Sequence, residues 1–197
     1  KGTCEDFWEM VIQYDCPVIV NLTELNDPTN KREKCYDYFQ LDEDECKKFG
    51  NISVFCKRKK TVKHSLILRR LEVSGKDQNH SFSVVHIHYS KWPVDDVPRD
   101  TLAMRDIFKR LHNKPRKRGP IVVHCSSGRG RTGAYCAVHN TIQRILIGEK
   151  SAWDLHNTLL VFSSQRYGLV PRQNLYNFCY KAIVDALVEL VSNHHRQ

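Results

Sequence analysis

Between Thr3 and Gln13 the apolar residues Phe7, Met10 and Val11 recur at helical spacing, which predicts a helix. The run Pro17 to Leu22 that follows is strand-like. The polar stretch Asn26 to Glu33, with Asp27-Pro28, marks a loop before the short aromatic segment Cys35 to Phe39, and Asp42 to Glu45 forms an acidic loop. Three strands are expected next, at Ile52 to Lys57, Val62 to Val73 and Phe82 to Tyr89, with Ser74 to Ser81 joining the last two as a hairpin-like connection. Pro98 to His112 reads as a helix with Leu102, Ile107, Phe108 and Leu111 on its inner face. Asn113 to Gly119 is a basic loop, and Pro120 to His124 is an apolar run that suits a buried central strand. Thr132 to Ile147, stopped by Gly148, begins three consecutive helices that continue with Ser151 to Ser163 and Pro171 to Val191. No internal repeat or dividing linker interrupts the pattern. It predicts one α/β domain over residues 1–197, a mixed twisted central sheet flanked by helices.

Composition narrows the class. With 197 residues, 41% of them hydrophobic, the chain can bury one core and is short for two ordinary domains. Only 9 Gly and 7 Pro exclude a collagen-like or low-complexity chain. The longest apolar stretch is broken by Asp185 and Glu189, well short of the ~20 residues of a membrane helix, so no membrane span is expected. The chain opens on Lys1 with no apolar signal core in its first ten residues, which reads as a fragment or a processed product. The 8 cysteines include no CxxC pair, so zinc-ribbon and disulfide-framework readings are weak, and reduced thiols in a cytoplasmic or nuclear setting fit better. A net charge of +9 suits anionic partners without choosing among nucleic acid, acidic lipid and phosphorylated protein.

The chemistry concentrates in Ile121-Val122-Val123-His124-Cys125-Ser126-Ser127-Gly128-Arg129-Gly130-Arg131-Thr132-Gly133, a strand leading through small residues into a helix. Small residues let successive backbone N–H groups converge, and a helix N-terminus adds partial positive charge, so such a loop holds a tetrahedral oxyanion. Cys125 opens the loop where that field and Arg131 favour thiolate over thiol. Arg131, six residues on, can grip two phosphate oxygens as a planar fork. Of the eight cysteines only Cys125 has Arg at that offset. The plainer reading is a core cysteine beside a tight turn, which does not itself require the small residues and Arg131 together.

His124-Cys125-Ser126-Ser127-Gly128-Arg129-Gly130-Arg131-Thr132-Gly133 resembles the signature loop of the protein tyrosine phosphatases. Asp6-Phe7-Trp8-Glu9-Met10, Lys34-Cys35 with Tyr38-Phe39-Gln40, Trp92-Pro93 with Val97-Pro98, and Gln165-Arg166-Tyr167-Gly168-Leu169-Val170 also fall in that family's order. Phe49-Gly50-Asn51-Ile52-Ser53 and Gly133-Ala134-Tyr135-Cys136 are similar to the soluble plant members. The resemblance implies a catalytic domain that lacks the family's N-terminal portion, with Cys125 as nucleophile and Arg131 as phosphate ligand. It also implies that Ser126, Ser127, Gly128, Arg129 and Gly130 bind substrate, that His124 orients the cysteine, and that Thr132 hydrogen-bonds the thiolate. His124 also has a plainer reading as a satisfied core histidine.

Departures from the family pattern are as informative. Its general acid sits in a Trp-Pro-Asp loop, and here Val94 follows Trp92-Pro93. Asp95 is the candidate replacement acid, with Asp96 beside it, if the loop shifts register; otherwise both are solvated loop residues. Leu175 stands where the family has a water-positioning glutamine, and the chain begins after the family's phosphotyrosine-recognition loop. Ser127 and Arg129 replace an alanine and an apolar residue, with Arg129 either a cation at the pocket rim or a solvated side chain.

These features predict a phosphatase that hydrolyses phosphotyrosine through a phosphocysteine intermediate, weakened in proton transfer and water positioning. The alternatives are a pseudophosphatase that binds phosphotyrosine proteins, a pocket shallow enough for phosphoserine, phosphothreonine or a phosphoinositide, and a polyanion-binding module. The last would use the basic runs Arg58-Lys59-Lys60 and Lys114-Pro115-Arg116-Lys117-Arg118, which otherwise read as solvated loops. The expected partners are phosphotyrosine-containing proteins rather than nucleic acid, with no cofactor and no metal; the oligomeric state is open. His86 and His88 share a strand face and could bind a metal, but no third ligand accompanies them, and a strand-face role is preferred. Trp92 is expected to anchor the mobile loop and Trp153 to lie in the core.

Overall fold

The computed structural model describes residues 3–26, 31, 33–75, 81–93, 96–112 and 119–194. The chain divides into two compact units, Lys1–Lys91 with Pro115–Ser126, and Trp92–Lys114 with Ser127–Gln197.

The first unit is built on a six-stranded mixed sheet in the order β2-β3-β4-β5-β1-β6. Its strands are β1 (Val18–Asn21), β2 (Cys46–Phe49), β3 (Ile52–Val62), β4 (Leu66–Gly75), β5 (Phe82–Tyr89) and β6 (Ile121–His124). β2 to β5 pair antiparallel, whereas β1 runs parallel to both β5 and β6. The helix α1 (Thr3–Gln13) lies as its periodicity predicts. It buries Trp8 and Val11 against Phe39, Leu41, Val54, Leu71 and Val73. Each such large side chain contributes about 1.5–3 kcal/mol when withdrawn from water.

Three sheet features differ from the expectation. β3 and β4 part at Lys63–Ser65, a turn in which His64 and Ser65 take φ of 59° and 57°. Glycine and asparagine usually signal left-handed residues, and neither is present, so the turn carries no sequence mark. β2 is a half-exposed strand with two lysines and no apolar alternation. β6 pairs with β1 alone among the described residues, with Ile121 exposed and Val122, Val123 and His124 half-buried. The buried central strand expected from its apolar run is therefore a terminal strand, because an apolar run records β propensity and not the number of neighbours. Arg58-Lys59-Lys60 falls inside β3 and not in a loop, with Lys59 on Asp42 and the adjacent Lys57 2.6 Å from Glu72. The second basic run lies outside the described residues, as does most of the 74–81 connection; Ser74 and Gly75 belong to β4.

The second unit is helical, with α2 (Leu102–His112), α3 (Gly130–Leu146), α4 (Leu155–Gln165) and α5 (Gln173–His194). α2 begins four residues after Pro98, because the Asp100 carboxylate accepts the Leu102 N–H at 2.9 Å. α3 buries Ala134, Tyr135, Ala137, Val138 and Ile142, and α5 buries Phe178, Cys179, Ala182, Ile183 and Ala186. The Thr101 hydroxyl donates to Asp185 at 2.6 Å, and Arg105 meets Glu189 at 2.5 Å, so the two acids that break the last apolar run tie α5 to α2. A short helical turn, Lys150–Trp153, precedes α4, and Trp153 is 66% exposed, outside the core where it was expected. Among the described residues no helix is long and apolar enough to cross a membrane.

Candidate active site

The signature segment straddles the two units, with His124, Cys125 and Ser126 in the first and Ser127 to Thr132 in the second. In the first, β1 and β6 run parallel with Asn21 opposite His124, whose carbonyl accepts the Leu22 N–H at 2.9 Å. Cys125 thus emerges at the carboxyl end of a parallel pair, where open α/β sheets gather their ligands. The residue is 7% exposed.

His124 belongs to a buried chain of hydrogen bonds. Its Nε2 lies 2.5 Å from the Tyr38 hydroxyl, which in turn lies 3.2 Å from Nε2 of His86. Burial lowers the His124 imidazole to about 4, and a hydrogen bond to the Cys125 backbone opposes that shift. A neutral ring that donates to a backbone carbonyl has only its second nitrogen left to accept. Tyr38 therefore donates to His124 Nε2 and accepts from His86 Nε2–H, so proton positions are ordered from His86 to the Cys125 backbone. Burial raises the Tyr38 phenol well above its ordinary value, so it stays protonated. Phe39 stacks on His86 at 4.3 Å, and Phe7 meets Tyr38 edge-on at 4.7 Å, which fixes the rings of this chain. His88 uses Nε2 on the Thr23 carbonyl at 2.8 Å. Both histidines of this strand face are thereby engaged structurally.

A pH dependence follows. Burial lowers His88 to about 4 and His86 well below 6.5. All three imidazoles are neutral in the fold and gain their protons on unfolding. Between about 6.5 and 4 the unfolded chain thus binds more protons, and stability is lost as pH falls. Unfolding free energies from urea titrations at pH 7, 6 and 5, and the midpoints with them, should fall progressively, by on the order of 1 kcal/mol per pH unit for each of the three imidazoles. Unchanged midpoints over that range would contradict the neutral assignment.

In the second unit the loop runs into α3, and Gly133 N–H bonds the Arg129 carbonyl at 2.8 Å. Gly128 has φ +66°, and a β-carbon there would come within 3.0 Å of the Arg166 guanidinium. That guanidinium donates to the Ser127 carbonyl at 3.4 Å, bracing the loop from behind. Gly133 is pressed by Leu169, with a β-carbon position 2.9 Å from Leu169 Cδ2. Small residues are thus required by close approach as well as by the loop's shape. Ser127 and Arg129 are exposed, Arg131 and Thr132 half-buried, and the Thr132 hydroxyl oxygen is buried with no hydrogen-bond partner.

The loop that should carry the acid is held at both ends. Trp92 is buried, packs edge-on to Phe178 at 5.4 Å and donates its indole N–H to the Asp96 carbonyl at 3.2 Å. Asp96 Oδ1 accepts from Val97 N–H at 2.8 Å and from the Asn174 amide at 3.3 Å. Val94 and Asp95 lie outside the described residues. Leu175 is 6% exposed, and its Cδ1 lies 3.4 Å from a β-carbon position on Gly130, so an apolar methyl borders the loop where a water-holding amide was expected.

Sequence reasoning gave no role to Tyr38, His86 or Arg166. Tyr38 and Arg166 lie in motifs that resemble those of the tyrosine phosphatases, and His86 shares a strand face with His88, but their partners depend on sheet order and helix packing.

A profile of the protein-tyrosine phosphatase family matches residues 1–185. The chain is 56% identical over 191 residues to Protein-tyrosine-phosphatase PTP1 of Arabidopsis thaliana, covering 96% of this chain and 56% of that protein. Human receptor-type tyrosine-protein phosphatase alpha is 32% identical over 183 residues, which are 92% of this chain and 22% of that one. The chain therefore spans little more than half the length of the first relative and less of the second. Among solved structures, the catalytic domain of human protein tyrosine phosphatase non-receptor type 18 superposes with a TM-score of 0.84 at 28% identity, over 94% of this chain and 65% of that one. The similarity to a plant phosphatase bears out the likeness read from the sequence.

Proposed function

The chain belongs to the protein-tyrosine phosphatase family, and on that basis we propose that it hydrolyses phosphotyrosine in proteins through a phosphocysteine intermediate, with a weakened acid step and a weakened hydrolytic step. The observation that carries this reading is Cys125 at the carboxyl end of a parallel strand, followed through Ser126, Ser127, Gly128, Arg129 and Gly130 by Arg131 in the first turn of α3. The thiolate attacks phosphorus, the bond from phosphorus to the tyrosine oxygen breaks, and that oxygen must gain a proton. Water then attacks phosphorus and the thiolate leaves. Arg131 and the loop N–H groups stabilise the phosphoryl oxygens, and the His124 chain orients the Cys125 backbone. Thr132 would supply its unused hydroxyl hydrogen bond to the departing thiolate.

Val94 cannot give the leaving oxygen a proton. Asp96 serves Val97 and Asn174 as an acceptor, which leaves Asp95 as the candidate acid of this reading. The Leu175 methyl beside Gly130 favours a second reading within the same fold, a protein that retains phosphotyrosine and turns it over slowly. A polyanion module is less favoured, since Lys59, at the centre of the first basic run, already faces Asp42. The reaction needs no metal or cofactor, and a working thiolate suits the reducing cytoplasm or nucleus.

Phosphate release from a phosphotyrosine peptide and from an aryl phosphate with an acidic phenol tests this reading. Turnover should be much the greater on the acidic phenol, which leaves without a proton. Equal turnover on both would show an intact acid step. No turnover and no binding of either would overturn the reading.

A further inference from the structure

Across β2 to β5 Glu72 is the sole carboxylate, against eight Lys and Arg. Strand register sorts those cations between two faces of the sheet. Lys47, opposite Val54, and Lys59, opposite Arg69, stand on the face packed under α1. Each cation of that face is answered: Lys47 pairs with Asp37, Lys59 pairs with Asp42, and Arg69 donates through Nε to the Leu41 carbonyl at 3.0 Å. Arg58, Lys60 and Arg70 are exposed on the opposite face. Glu72 lies on that face too, but Lys57 holds it at 2.6 Å. Among the described residues no carboxylate pairs with Arg58, Lys60 or Arg70, and the Arg70 Nε reaches only the Ser83 hydroxyl, at 3.5 Å.

A bulge creates this arrangement. Cys56 pairs with Leu71 and Arg58 with Arg70, so Lys57 is an extra residue in β3. In an unbroken register Lys57 would face Arg70, and Arg58 would fall on the covered face opposite Arg69. The bulge re-aims both side chains, sending Lys57 to Glu72 and setting Arg58 directly opposite Arg70. Side chains so placed have β-carbons about 4.5–5.5 Å apart, and like charges there repel. The pair does not stabilise the sheet by itself, and an anion bridging it removes the repulsion. We propose that Arg58 and Arg70, with Lys60 next along the same face, bind a phosphorylated side chain of a partner polypeptide and hold it without hydrolysing it. This site uses none of the residues of the Cys125 loop.

The chemistry of the pair selects the occupant. A phosphate monoester carries close to two negative charges and three acceptor oxygens, which two planar guanidinium forks can share, and Lys60 adds a third cation. The nearest thiol along β3, Cys56, is fully buried on the other face, so no nucleophile meets the phosphorus there. Carboxylates border the same strand. The Glu45 carbonyl accepts the Cys56 N–H at 2.9 Å, and Glu43, Asp44 and Glu45 are exposed. A bilayer or a nucleic acid, as an extended anionic surface, would lie against those carboxylates as well. One phosphorylated side chain reaches the arginines without meeting them.

Fluorescence anisotropy with a phosphoserine peptide and its unphosphorylated counterpart, on the Arg131→Ala protein, reads this site apart from the Cys125 loop. The phosphorylated peptide should bind about 10-fold more tightly than its counterpart, and Arg58→Gln combined with Arg70→Gln should erase that preference. Arg58→Lys combined with Arg70→Lys should lose most of it, since an ammonium offers no fork. The glutamine pair should melt no lower than the parent, because it removes a like-charge contact, so lost binding is separable from lost fold. With Arg131 intact, the same glutamine pair should leave turnover of an aryl phosphate unchanged. Equal binding of the two peptides, or a preference that survives the glutamine pair, would overturn the site. Binding to phosphatidylserine vesicles that the glutamine pair abolishes, without any preference for the phosphopeptide, would overturn it in favour of a membrane surface.

Discussion

Val94→Asp should raise turnover of a phosphotyrosine peptide by about 10²–10⁴-fold, the usual worth of general acid catalysis. Tyrosine is a poor leaving group because its oxygen departs as the conjugate base of a phenol with pKa ~10. Trp92 and Asp96 bracket position 94, and the Trp92 indole bonded to the Asp96 carbonyl and packed on Phe178 already anchors that loop. A carboxyl at 94 therefore enters a loop with fixed ends. Turnover of the aryl phosphate with an acidic phenol should change little, and the kcat profile for the peptide should gain a limb that falls at high pH as the new acid ionises. Stopped-flow phosphate release on both substrates checks this. An unchanged peptide rate in a folded Val94→Asp protein would show that another group already protonates the leaving oxygen. Asp95→Asn in the parent protein would then identify it. Adding Leu175→Gln addresses the second step, since the Leu175 methyl beside Gly130 offers water no hydrogen bond.

Cys125→Ser should reduce phosphate release by on the order of 10⁴-fold or more while leaving phosphopeptide binding in place. A serine hydroxyl stays protonated under conditions that give a thiolate, and His124, which burial holds neutral, is engaged through Nε2 with the Tyr38 hydroxyl. Arg131→Ala should by contrast lose binding as well, because the planar fork on the phosphoryl oxygens goes with it. Isothermal titration with a phosphotyrosine peptide separates the two variants. Intact-mass spectrometry after a substrate quench should show the phosphoryl adduct in the parent and none in Cys125→Ser. An adduct that survives Cys125→Ser would place the nucleophile elsewhere.

Local chemistry was readable from the chain wherever neighbours in sequence are neighbours in space. The α1 period, the strand run into Cys125 and the small loop residues all depend on spacing within a few residues, and α3 starts at Gly130, two residues before the expected Thr132. The short connection from His124 to Thr132 between strand and helix was likewise legible, since its small residues leave few shapes open to it. At positions 94 and 175 the residue itself was plain, and only the family resemblance gave the missing carboxyl and amide their expected meaning.

Sheet order and helix packing decided the rest. Tyr38, His86 and His124 are 48 and 86 positions apart in their two bonds, and they meet because β5, β1 and β6 lie side by side beneath the aromatic segment. Arg166 braces Ser127 across 39 positions because α4 ends beside the start of α3. The terminal placement of β6, the unmarked turn at Lys63–Ser65 and the exposure of Trp153 depend in the same way on what packs where. Periodicity and turn chemistry are properties of adjacent residues, whereas these pairings arise when distant apolar surfaces are buried together, and that choice belongs to the whole fold.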